Sequence, residues 1–157
     1  MCQANAATLF FEVFMKRLLI AVVVAVSSFS VQAASVPLFS CQTEDSNTVE
    51  ALKDTDTNQY TFRITKPTGK PGVNVQVAES DMTLVDASRD QGYVKSLLFV
   101  LGDIEYSVTA SKSGKEVQGD MEVARMGTQV YYSECKPGTV KHKLADKKFV
   151  GHVSLVK

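Results

Sequence analysis

The chain has 157 residues, with 17 basic and 17 acidic side chains and a formal net charge of zero. Hydrophobic residues make up 45% and charged residues 22%, which excludes a disordered or low-complexity chain. Balanced charge also excludes the strongly basic class that holds nucleic acid by charge.

The first element is a leader. Met15-Lys16-Arg17 supplies two cations, Leu18 to Val26 nine apolar residues, and Val31-Gln32-Ala33 a small-x-small ending, which are the three parts of a secretory signal peptide. A bilayer span takes about 20 apolar residues, and Ser27, Ser28, Ser30 and Gln32 interrupt this run. Residues 15–33 are therefore expected to be cleaved, after Ala33 or Ala34, leaving no transmembrane segment. Residues 1–14 precede a complete signal and have no part in it, so translation is expected to begin at Met15. The predicted mature chain is an all-β domain over 34–135 followed by a basic C-terminal tail over 136–157, read as a solvated, partly flexible end. The domain carries 9 basic and 15 acidic residues and the tail six lysines and Asp146, an acidic body with a basic end.

Cleavage removes Cys2 and leaves Cys41 and Cys135. An even pair in an exported chain predicts one disulfide. Leu38-Phe39-Ser40-Cys41 has the outline of a lipoprotein cleavage box, but Phe39 is large where a small residue is required. Pro37 also separates the box from the apolar run, and lipidation of Cys41 would orphan Cys135.

Along the domain the hydrophobic period is two. Tyr60, Phe62 and Ile64 share one face of Gln59 to Thr65; Ile104, Tyr106, Val108 and Ala110 share one face of Ile104 to Ser111. Val117, Met121 and Val123 continue the pattern, with Gly119 marking a bulge or a close backbone approach. Shorter strands are predicted at Leu38–Gln42, Val49–Lys53, Val73–Val77, Met82–Val85 and Gln129–Cys135. Tyr93 to Leu101 is apolar on both faces near its end and reads as a central strand covered on both sides. Gly102-Asp103, Ser113-Gly114-Lys115 and Met126-Gly127-Thr128 are turn signals that join the last four strands into a meander. Lys66 to Gly72 and Asp86 to Gly92 read as loops. In the tail, Lys143 to Lys148 suits one helical turn and Phe149 to Val156 a last strand. The fold class is all-β: a small antiparallel β-sandwich or β-barrel of about eight strands with one disulfide.

Sequence signals for catalysis are poor. His142 and His152 are the only histidines, too few and too far apart for a metal site, and no nucleophile elbow, zinc helix or phosphate loop appears. Asp45, Glu50, Asp54 and Asp56 alternate with hydroxyl residues and read as solvent-facing charge; a loop calcium site at Asp54, Asp56 and Asn58 lacks the glycine and distal glutamate of an EF-hand. No cofactor, metal or nucleic acid is expected. Tyr131-Tyr132 is the exception: neighbours in a strand face opposite ways, so one tyrosine is expected outside as a protein-contact anchor.

Phe39-Ser40-Cys41, Tyr60-Thr61-Phe62-Arg63, Gly69-Lys70-Pro71, Gly102 to Val108, Gly114 to Val117 and Cys135 together resemble a group of uncharacterised small exported bacterial all-β proteins, a resemblance that implies a fold more than a function. A second, partial similarity is to periplasmic lysozyme inhibitors, which are small disulfide-bearing β proteins with a Ser-Gly-x-x-Tyr loop. Here Ser113-Gly114-Lys115-Glu116 is followed by Val117 in place of tyrosine. The expected function is a non-enzymatic exported, periplasmic or secreted, binding module for another envelope or extracellular protein. Its expected contacts are Ser113, Gly114, Lys115, Tyr131 and Tyr132. The alternative is a periplasmic lysozyme or hydrolase inhibitor acting through the Ser113-Gly114 hairpin loop.

Overall fold

The computed structural model describes residues 35–88, 92–151 and 153–156. The signal peptide, the Met15 start, Cys2 and His152 lie outside them. The element order is β1 (Ser35–Gln42), β2 (Thr48–Asp54), β3 (Gln59–Thr65), β4 (Pro71–Ala78), a 3-10 turn (Glu79–Asp81), β5 (Met82–Asp86), β6 (Gly92–Leu101), β7 (Ile104–Ser113), β8 (Glu116–Arg125), β9 (Thr128–Glu134), β10 (Lys141–His142), α1 (Lys147–Val150) and β11 (Ser154–Val156).

These strands form two sheets, ordered β10-β1-β2-β3-β4 and β11-β5-β6-β7-β8-β9. All neighbours are antiparallel except β11 and β5. The fold is thus the sandwich of the two predicted alternatives. A lone bridge, Thr43 to Cys135, joins the sheets, and they do not close into a barrel. Eleven strands are present among the described residues where about eight were expected: the nine segments read as strands before the tail all form, and the tail adds β10 and β11.

The alternating faces meet in one core. Tyr60, Phe62, Phe99, Val108 and Ala110 are fully buried, and the Phe62 ring lies 5.5 Å from Phe99 and 5.2 Å from Tyr106. Gly119 sits where a side chain would be crowded. A Cβ there would stand 3.0 Å from the Thr109 carbonyl oxygen and 3.2 Å from Phe39 Cζ, so the predicted close approach is real. The predicted meander from β6 to β9 is present with longer strands and tighter, two-residue turns.

The disulfide joins Cys41 and Cys135, with a Cα–Cα distance of 5.8 Å. It ties β1 of the first sheet to the chain just after β9 of the second. Cys41 is therefore not a lipid attachment point in this fold.

Two expectations need correction. The strand Tyr93 to Leu101 is covered on one side only: Val94 and Val100 are exposed at 41% and 44%. The chain reaches no layer that would lie over that outer face among the described residues. The tail is also not a solvated end. β10 pairs with β1, β11 pairs with β5, and Leu144, Val150 and Val153 are buried in the core. The β domain accordingly continues past Cys135 to Val156. A polar latch holds the tail: Lys53 Nζ donates to the Phe149 carbonyl at 3.2 Å, while the Tyr60 hydroxyl lies 3.2 Å from the same oxygen and 3.0 Å from Glu79 Oε1.

Candidate functional site

The β9 strand is an edge of the six-stranded sheet, and two concavities meet along it. Alternation places Tyr131 inward and Tyr132 outward, and Tyr132 is 47% exposed. Residue by residue this is the arrangement of adjacent side chains on a pleated strand.

On the outer side lies a groove of about 810 Å³. Tyr132 and Lys115, two of the residues read as contacts, line it together with Glu44, Glu116, Asp120 and Glu134. The last two carboxylates face each other in register across β8 and β9. Burial pushes the Asp120 carboxyl above the usual range, and repulsion from Glu122 and Glu134 adds to it against a hydrogen bond from Thr109. Tyr132 is raised as well, first by burial and then by Asp120 and Glu134. Four carboxylates against one lysine make this wall strongly electronegative. Ser113 closes β7 and Gly114, at φ 63°, opens the hairpin that carries Lys115 to the rim. A positive φ on the first turn residue is what glycine supplies in a II′-type hairpin.

On the inner side the two sheets splay into a cleft of about 380 Å³. Ile64, Val73, Ile104, Tyr106 and Val123 form its walls, and Tyr131 stands at its edge. Tyr131 is fixed by its hydroxyl, which donates to Asp45 Oδ2 at 2.8 Å. Asp45 also accepts from Thr43 Oγ1, from Asn47 Nδ2 at 2.8 Å and from Ser133 Oγ at 3.3 Å. These donors, the Thr43 hydroxyl first, hold its carboxyl below the ordinary value against some desolvation. The β1–β2 loop is thereby locked onto β9. The structure so brings Tyr132 and Lys115 to one groove and assigns Tyr131 to the other concavity.

The acidic run of the sequence is dispersed among local roles. Arg63 Nε and Nη2 donate to Glu50 Oε2 at 2.9 and 2.7 Å across the β2–β3 pair. Asp54 Oδ1 accepts from the amides of Asp56 and Thr57 and shapes the β2–β3 turn. Among the described residues no three histidine, cysteine or carboxylate side chains are placed to share a metal ion.

Sequence reading missed the groove because Glu44, Asp120 and Glu134 are far apart in the chain. The only local signal was Asp120 and Glu122 sharing one face of a strand. It missed the cleft because its walls carry the same alternation as any core. Comparison with family models, curated proteins and solved structures finds no match to this chain.

Proposed function

We propose that this protein is a non-enzymatic, exported binding module that grips a positively charged protein partner through the groove along β9. One observation carries the reading: the exposed Tyr132 ring lies in a groove with Glu44, Glu116, Asp120 and Glu134 on its walls. Clustered carboxylates around an aromatic anchor suit cationic side chains, because complementary charge speeds encounter and a partly buried ring supplies contact energy. The disulfide fits an oxidising destination.

The test is binding of a basic protein set, including several lysozymes, measured with the native chain and with Asp120→Asn, Glu134→Gln and Tyr132→Ala. Affinity is expected to fall by about tenfold in each variant and to weaken steeply with salt. Binding that is indifferent to all three substitutions would refute the reading. A second reading has one observation in its favour: Lys115, which follows Gly114 in the hairpin turn, lines the same groove. Under it, the loop at Ser113-Gly114 enters a hydrolase cleft, and at least one lysozyme is inhibited as well as bound. Binding without inhibition removes that reading and leaves the first intact.

A further inference from the structure

The inner cleft has a composition unlike that of the groove. Its walls are aliphatic side chains and one tyrosine ring, drawn from β3, β4, β7 and β8. It opens between the sheets near Ile64, the end of β3 away from Tyr60, where the tail is latched. Exposed apolar surface in a concavity of this size is the usual setting of a small-molecule site.

Its rim carries uncommitted positive charge. Lys66 lines the opening and forms no ion pair among the described residues. Lys70 stands at the other end of the same turn, its carbonyl accepting from the Lys66 amide at 2.9 Å. Arg125 lines the rim too, held by Asp103 at 2.7 Å through Nε alone. Asp45, the carboxylate among the lining residues, already accepts from four side-chain donors, and the lining cations Lys66 and Arg125 outnumber it. An apolar trough ending at free lysine charge suits a molecule with a hydrocarbon chain and an anionic head.

We propose that this cleft binds a monomeric single-chain amphiphile with an anionic head, the chain lying between Ile64, Val73, Ile104 and Val123 and the head on Lys66. The head stays in contact with water at the open side, so the charge is paired without being buried. The chain leaves water, which supplies the driving force. This site is separate from the groove, and either can fail alone.

The test uses protein purified from cells expressing the full sequence, with its disulfide intact. Dodecanoate is titrated below its micelle concentration and followed by calorimetry and by tyrosine fluorescence, since Tyr106 and Tyr131 line the cleft and the chain has no tryptophan. Saturable binding of one molecule per chain is expected. Undecyltrimethylammonium, with the same alkyl tail and a cationic head, is expected to bind about tenfold more weakly. Lys66→Glu should erase that preference. Gly72→Leu should abolish binding by filling the mouth. A Cβ at Gly72 meets the Ile64 carbonyl oxygen at 3.4 Å and Lys66 Cε at 3.6 Å, ordinary contacts that the fold accepts. If Gly72→Leu nonetheless lowers the melting temperature, Val130→Asp decides the matter. It lies on the rim at 60% exposure, so it spares the core and repels an anion. Absence of saturable dodecanoate binding, equal affinity for the two heads, or native binding by Val130→Asp would each overturn the proposal.

Discussion

At single residues, backbone and burial set most of the checkable energetics. Met126 has φ 50° and is 85% exposed at the β8–β9 hairpin, followed by Gly127 at φ 77°. Two positive φ values in a two-residue loop are the signature of a type I′ turn, where Asn-Gly is preferred. A non-glycine side chain in the left-handed region costs about 1–2 kcal/mol, less for asparagine. Met126→Asn is therefore expected to stabilise by about 1 kcal/mol, read as a higher denaturation midpoint with an unchanged slope. His142 works in the opposite direction. Its Nε2 lies 2.6 Å from the Tyr93 hydroxyl and its Nδ1 is buried without a described partner. Burial, and then the Lys95 charge, push its pKa below the ordinary 6.5. A depressed folded-state value means that the unfolded chain takes up the proton first. The histidine's contribution is whole above pH 6.5 and is lost as pH falls from there toward the folded value. Native protein should lose more stability between pH 7.5 and 5.5 than His142→Gln does. His152 is present in both proteins and drops out of the difference.

At the scale of elements, the period-two pattern was enough to find the core strands and the meander. Tyr60, Phe62 and Ile64 face inward as their spacing requires, and so do Tyr106, Val108 and Ala110. What local pattern could not carry is the identity of the covering layer. Leu97 and Phe99 are fully buried while Val94 and Val100 remain open, yet all four are simply apolar in sequence. The inward lysines escaped for a related reason. Lys53 and Lys95 occupy core-facing positions because Glu79 and Asp86, on other segments, stand beside them, and a strand pattern does not show its distant ion partner. The candidate contacts at Lys115 and Tyr132 were legible as a turn and an alternation; the acidic wall that gives them meaning arises from the pairing of β8 with β9. The open face of β6 has a direct consequence. Val94→Thr with Val100→Thr keeps β-branched side chains on the strand and removes apolar groups from water, not from packing. Stability is expected to change by no more than about 0.5 kcal/mol. A loss of several kcal/mol in thermal unfolding would mean that a partner or second copy covers this face.

For the whole molecule, the decisive feature is how the last residues complete a sandwich whose sheets are otherwise joined by few links. The Cys41–Cys135 bond spans 94 residues, and closing so long a loop is worth about 4–5 kcal/mol on the chain-entropy estimate. The tail supplies a second restraint, because β10 and β11 belong to different sheets and Leu144 between them is fully buried. Lys53 and Tyr60 add polar contacts to the Phe149 carbonyl, with Glu79 beside both side chains. These restraints meet on β1, one holding it against the segment after β9, the other crossing from it to β5. Leu144→Ala is thus expected to cost about 2–5 kcal/mol by opening a core cavity, and the Cys41→Ala, Cys135→Ala pair a comparable amount. Because both restraints end on β1 and Cys41, Cys135 and Leu144 share one core cluster, the combined variant is expected to depart from the sum of the two costs. Against a total stability of about 5–15 kcal/mol for an ordinary domain, that sum approaches the whole. Urea denaturation of the oxidised native chain, both parents and the combined variant checks this. A Leu144→Ala midpoint equal to native would show that the basic tail is dispensable and only lies on the sandwich.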